Sequence, residues 1–217
     1  MTLKLYYHPL SSFCWKALVA LYENDTPFEP VLVDLGDAAE RAKFLALWPV
    51  GKFPVLQDTA RDRLVPESSI IVEYLAQHYP GRSKLVPDDA DMARQVRLRD
   101  RFFDLNVQVP MQKITGDRRR PAGQNDPFGV AQARADLVTA CGLVERGMGA
   151  RHWVMGEAFT MADCAALPAL FYADKVMPLA KDFPNAAAYL RRLSERPSAA
   201  RTLKEAAPYF HLFPSET

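Results

Sequence analysis

At 217 residues, the chain is long for one small domain and suits one large or two modest ones. Hydrophobic residues at 49% and charged residues at 24% are ordinary for a globular protein, and a formal net charge of +1 argues against a strongly basic nucleic-acid surface. No charged segment followed by an apolar one opens the chain, no apolar run reaches the length of a membrane span, and Cys14, Cys141 and Cys164 are too scattered for a disulfide framework or a zinc site. The expectation is a cytoplasmic protein with no metal, no nucleic acid and no membrane among its partners.

Residues 3–7 are apolar and aromatic and stop at Pro9, which predicts a first strand. A helical pattern follows over 13–22, with Phe13, Leu18, Leu21 and Tyr22 at helical spacing. The turn between them carries Ser11, Ser12 and Cys14. The first N–H groups of a helix lack internal partners and the helix dipole adds partial positive charge, so a thiolate or other anion is stabilised beside this turn. Residues 29–34 are β-branched and apolar and predict a second strand, parallel to the first because the helix supplies the crossover. Residues 37–47 read as a charged, partly amphipathic helix closed by Trp48-Pro49. Residues 54–58 and 63–65 read as a hairpin, and 68–78 as a helix with Ser68 a candidate N-cap. The order βαβα then ββα is that of one small mixed sheet with helices packed on it.

Two prolines and a glycine in 80–87 break the pattern. The expected division is a domain over 1–79, a linker over 80–88 and an all-helical domain over 89–217. Within the latter, 90–116 is a long helix with an expected kink at Pro110. Residues 117–127 form a polar, basic loop, and 129–148, 164–172, 184–196 and 198–206 are helical. Thr160-Met-Ala-Asp163 has the spacing of a helix-capping box. No internal repeat is visible.

Four pieces, in this order and spacing, carry a resemblance to the soluble glutathione transferases (GST) over almost the whole chain. The run from Ser11 to Lys16 resembles the serine-containing first turn of the theta and zeta classes. Gly51-Lys-Phe-Pro-Val-Leu56 is similar to the segment holding the cis-proline of the thioredoxin-like fold. Pro66-Glu-Ser-Ser-Ile-Ile71 resembles the turn that binds the γ-glutamyl group of glutathione, and Phe159-Thr-Met-Ala-Asp163 the capping box of the helical domain. The resemblance implies a GST fold: a thioredoxin-like α/β N-terminal domain with a mixed four-stranded sheet, followed by an all-α C-terminal domain. It also implies glutathione as co-substrate, a homodimer, and conjugation of the glutathione thiolate to hydrophobic electrophiles.

On this resemblance the candidate catalytic residues are Ser11, at the matching position, and then Ser12. A hydroxyl donating to the thiolate favours its ionised form, and a shift of two pKa units needs only about 2.7 kcal/mol. The candidate glutathione-binding residues are Lys52, Phe53, Pro54, Glu67 and Ser68. A cis Phe53–Pro54 bond would turn the Phe53 N–H and C=O toward the ligand's cysteine; a trans proline opening a strand is the plainer alternative, since cis accounts for only about 5% of X–Pro bonds. Glu67 and Ser68 at a helix N-terminus suit a carboxylate, though Ser68 as a simple cap is an alternative, and Lys52 offers a cation where an ordinary exposed lysine is the alternative.

The remaining features read as structure. Cys14 falls inside the helix and reads as a buried core cysteine, as do Cys141 and Cys164; His8 reads as an exposed turn histidine. Trp15, Trp48 and Trp153 cover core surface. Phe102, Phe103, Val107 and Met111 form a core stripe from which one or two residues can line the electrophile pocket, and Arg118, Arg119 and Arg120 read as a solvated cluster. Three further functions stay open. A maleylacetoacetate-type isomerase has Cys-Ser where this chain has Phe13-Cys14. A thiol transferase or reductase would work through Cys14. A silent binding module is disfavoured by the intact set of Ser11, Lys52, Pro54, Glu67 and Ser68.

Overall fold

The computed structural model describes residues 2–214. Strands β1 (Leu3–Tyr7), β2 (Glu29–Leu32), β3 (Val55–Asp58) and β4 (Arg63–Pro66) form one sheet in the order β2-β1-β3-β4. β1 and β2 are parallel, joined by helix α1 (Ser12–Glu23), and the other two pairings are antiparallel. The connections dictate this mixture: α1 is long enough for a parallel crossover, while the short turn after Asp58 permits only a hairpin. β2 ends at Leu32, earlier than its apolar pattern predicts, because β1 ends opposite it at Tyr7. Only the Val33 N–H still reaches the Tyr7 carbonyl, at 2.9 Å.

Strand alternation sorts the two faces of the sheet. Leu3, Leu5, Leu56 and Val65 point to the main core with α1 and α3 (Ser68–His78). Tyr6, Val55 and Leu64 point the other way, where α2 (Ala38–Leu47) closes a small second core with Val33 and Phe44. Trp48 is half-buried against that second core. Asp37 starts α2 by accepting the Ala39 and Glu40 N–H groups, both at 2.9 Å.

The rest is helical: α4 (Ala90–Phe102), a π-helical segment (Phe103–Gln108), α5 (Val109–Asp117), α6 (Pro127–Met148), α7 (Met161–Val176), α8 (Leu179–Asp182), α9 (Pro184–Glu195), α10 (Pro197–Ala206) and a final 3-10 stretch (Ala207–Leu212). The expected kink at Pro110 is instead the π segment just before it. Pro110 has no N–H to give and sits in the first turn of α5, where the missing donor costs least. The sequence pattern also missed α8 and the last 3-10 stretch, which are too short to show a period.

α1 packs on α7, and both are buried nearly all round. Such helices lie inside a core rather than on its surface, so sheet half and helical half share one hydrophobic interior. Two buried carboxylates pin this interior. Glu23 accepts from Arg196, Ser83 and Ser198, tying α1 to the segment before α4 and to the start of α10. Asp163 accepts the Thr160 N–H at 2.8 Å and its hydroxyl at 3.2 Å, the capping box expected from the sequence. It also accepts the Val154 N–H at 3.0 Å and the Tyr189 hydroxyl at 2.5 Å. No described helix is long and apolar enough to cross a membrane.

Candidate active site

The turn at residues 8–11 is fixed from several sides. Pro9 stops β1, and the Ser11 N–H donates to the His8 carbonyl at 3.0 Å. The Trp15 indole donates to the Pro9 carbonyl at 2.5 Å, and the Tyr172 hydroxyl, from α7, donates to the Leu10 carbonyl at 2.8 Å. Ser11 is the N-cap of α1: its backbone is extended (φ −77°, ψ 118°) and its Oγ accepts the Cys14 N–H at 3.4 Å. A hydroxyl that caps as an acceptor still carries a proton that it can donate. The helix starts one residue earlier than its apolar pattern, so Ser12 lies in its first turn, buried.

His8 is not the exposed histidine expected. It is half-buried, its ring 6.1 Å from Phe53 in a stacked pair and 5.6 Å from Tyr209 edge-on. Its Nδ1 accepts the Leu10 N–H at 3.2 Å, and burial holds its pKa below the ordinary value, partly opposed by Asp34. Cys14 is wholly buried. Burial pushes its thiol up to about 12, although hydrogen bonds to the sulfur from the Ser11 side chain and the His8 backbone act the other way. A thiol in that state is not a nucleophile near neutral pH.

Sheet register gathers the remaining candidates at the same end of the sheet. Tyr6 pairs with Val55, and Val55 with Pro66, so Phe53-Pro54 lies between the serine turn and Glu67-Ser68. The Phe53–Pro54 bond is cis. Ser68 is not the cap of α3. Glu67 occupies the cap position at φ +71°, in the left-handed region that favours glycine, and Ser68 is the first helical residue, buried. The strained cap leaves the α3 N–H groups without a side-chain partner, an arrangement suited to an anion. Lys52 and Glu67 are exposed beside this turn.

Beneath it lies a cluster that sequence reasoning passed over. Lys16, in the middle of α1, is fully buried and contacts Asp100 at 2.5 Å and Asp104 at 2.8 Å. It also donates to the Ser69 hydroxyl at 2.7 Å, and Ser69 donates to Asp100 at 2.7 Å. Burial, with the neighbouring Asp100 charge, raises the Asp104 pKa although Lys16 opposes it. The cluster ties the N-terminal turn of α3 to α1 and α4. Its signal was available: a lone lysine inside the apolar run of α1, and two aspartates four residues apart on one helical face.

Ser11 and Ser12 open into a cavity of about 310 Å³ between the two halves. Leu10, Met111, Tyr172, Phe213 and Pro214 supply apolar walls; Gln108, Gln112, Thr115 and Arg119 supply polar ones. Of the expected core stripe, Phe103 and Val107 are core and Met111 reaches the cavity. Arg119, expected as one of three solvated arginines, stands on the cavity wall. Arg118 instead donates to the Pro214 carbonyl at 2.9 Å, and Arg120 pairs with Asp117 at 3.4 Å. No group of histidine, cysteine or acidic side chains among the described residues could hold a metal ion.

Known proteins share this arrangement. The family model of the glutathione S-transferase N-terminal domain matches residues 5–83, and that of the C-terminal domain matches residues 127–192. A glutathione S-transferase of Pseudomonas putida is 29% identical over 94% of this chain and 92% of its own. The glutathione S-transferase-like protein LUC7 of a Fusarium species is 32% identical over 78% of this chain and 76% of its own. Among solved structures, a glutathione S-transferase from Methylobacillus flagellatus KT with GSH bound superposes at a TM-score of 0.84. That pair is 26% identical, over 92% of this chain and 98% of the other. A four-stranded mixed sheet, a cis-proline beside a capped serine turn, an all-helical second half and these likenesses agree: the chain belongs to the glutathione S-transferase family.

Proposed function

We propose that the protein conjugates the glutathione thiolate to an electrophile held in the cavity at Ser11. The observation that carries this reading is that Ser11 stands at the N-terminus of α1 and lines a cavity walled by the helical half. Glutathione lies along the end of the sheet, its cysteine against the backbone of Phe53 beside Pro54. Its γ-glutamyl carboxylate meets the N-terminus of α3 at Glu67 and Ser68, and Lys52 serves the second carboxylate. The sulfur then faces Ser11, with Ser12 next to it. The hydroxyl and the helix terminus stabilise the thiolate, which attacks the electrophile; the new bond is C–S, and the leaving group departs with the electron pair. The serine-type turn of the theta and zeta pattern is the finer assignment that follows.

The burial of Cys14 supports serine over the alternative of a cysteine-based thiol transferase. A homodimer is part of the same reading. Leu98, Leu105 and Val109, on α4, the π segment and α5, and Leu143 on α6 are exposed large apolar residues. Leu98, Leu105 and Leu143 line two hollows of about 230 and 200 Å³ that share Phe102 and Leu143. A second copy would cover such a face, and sedimentation at micromolar concentration tests for it.

Calorimetry with glutathione, followed by a conjugation screen over aryl halides and epoxides, tests the function. Binding together with thioether formation is expected. Absence of glutathione binding removes the proposal and leaves the fold intact.

A further inference from the structure

The wall that α5 and the π segment present to the cavity is polar where an apolar substrate would want grease. Gln108 ends the π segment, Gln112 and Thr115 follow on α5, Arg119 lies in the turn just past its end, and all four line the cavity. At its buried end Gln108 is 2% exposed, yet its Oε1 accepts no hydrogen bond. Buried amides are nearly always satisfied, so one left open on a cavity wall awaits a partner that the protein does not supply. A half-turn of the amide presents its N–H instead, so Gln108 can serve a donor or an acceptor. At the other end Arg119 is exposed, and no carboxylate among the described residues pairs with it. Its neighbour Arg120 has Asp117. The opposite wall, with Leu10, Tyr172, Phe213 and Pro214, remains apolar.

We infer that the electrophile is amphipathic and carries a carboxylate, which Arg119 binds while the Gln108–Gln112 edge hydrogen-bonds the polar side of the molecule. This deepens the conjugation reading above and rests on it. A guanidinium binds a carboxylate through paired, charge-assisted hydrogen bonds, about twice as strong as neutral ones, which suits it to fix one end of a substrate whose other end must reach the sulfur. Arg119 is therefore a specificity-determining residue, not a catalytic one.

The test uses three matched aryl chlorides: 4-chloro-3-nitrobenzoate, its methyl ester and its primary amide. In each, the glutathione sulfur forms the C–S bond, the C–Cl bond breaks, chloride leaves with the electron pair and the thiol proton passes to solvent. Each kcat/KM is divided by the uncatalysed rate constant with free glutathione, which removes differences in ring activation. The benzoate is expected to exceed the ester by roughly tenfold or more, the ratio a charged hydrogen bond supports, with the amide between them. Arg119→Gln should bring the benzoate-to-ester ratio close to one. Arg120→Gln removes the same charge one residue away and should keep the ratio. Ester turnover with no preference for the benzoate overturns this inference and leaves conjugation standing. No turnover of any of the three, with no glutathione binding, overturns the reading on which it rests. A ratio lost equally in Arg120→Gln would mean that general positive charge, not Arg119, selects the carboxylate, and would also overturn it.

Discussion

Replacing Lys16 with methionine keeps the length of the side chain and removes the cation from between two buried carboxylates. Lys16 is wholly buried and holds Asp100 and Asp104 at 2.5 and 2.8 Å, with Ser69 completing the cluster. Removing one partner of a buried ionic group leaves uncompensated charge, which costs about 3–5 kcal/mol. At roughly 2–4 °C per kcal/mol for a chain of this length, the melting temperature should fall by about 6–20 °C. The loss should also depend on pH. Asp104 already has a raised pKa, so between its unfolded and folded values the folded state binds the more protons. Between the two values stability falls as pH rises. Without Lys16, the largest influence holding that pKa down is gone, and the window widens upward. The deficit of Lys16→Met relative to the parent should therefore be larger at neutral pH than in mild acid. Urea midpoints of both proteins at the two pH values measure it. Adding Asp104→Asn to Lys16→Met should restore part of the lost stability. A deficit below about 1 kcal/mol, or one unchanged by acid, would refute the reasoning, since an exposed or unimportant pair behaves that way.

Asp163→Ala strands the Thr160 and Val154 N–H groups and the Tyr189 hydroxyl in the interior, so it should cost about 3 kcal/mol or more, beyond the ~1 kcal/mol of an ordinary cap. Denaturant midpoints check this, and conjugation per folded molecule should be unchanged. All three cysteines are buried, with Cys14 and Cys141 pushed up to about 12 by burial. Iodoacetamide near neutral pH should therefore label none of them until the protein unfolds, as mass spectrometry can show. His8 has a lowered pKa, so its contribution to stability is complete above its ordinary value of 6.5 and is lost as pH falls below it, when a proton on Nδ1 displaces the Leu10 N–H. His8→Phe should keep the ring stack and flatten the acid limb of the stability profile between about pH 7 and 5.

Much of this fold can be read from pattern. Strands alternate, α1 and α3 show helical spacing, and Pro9, Trp48-Pro49 and residues 80–87 punctuate where the chain turns. The cis bond at Pro54 is legible only through the resemblance, because nothing local in Phe-Pro distinguishes it. The cap of α3 was misplaced by one residue, since Ser68 is the better cap by type while the strained Glu67 takes the position. His8 was misread because its burial comes from Phe53 and Tyr209, both distant in sequence. For the same reason the cavity's polar wall escaped notice. Gln108, Gln112, Thr115 and Arg119 look like the solvated side of a helix until the tail brings Phe213 and Pro214 across from them. Lys16 looks like an ordinary helix lysine until α4 supplies Asp100, and the π segment Asp104, from far along the chain.

The most direct measurement is the pH titration of the thiolate of bound glutathione, followed by its ultraviolet absorbance, in the parent and in Ser11→Ala. Ser11 donating to the sulfur predicts a thiol pKa in the parent below that of free glutathione. Ser11→Ala should raise it by about one unit or more, which is one charge-assisted hydrogen bond, while glutathione affinity changes little. The conjugation rate of the variant should recover in part as base is added. A bound thiol with the pKa of free glutathione in the parent, or an unshifted titration in Ser11→Ala, would contradict the assignment of Ser11.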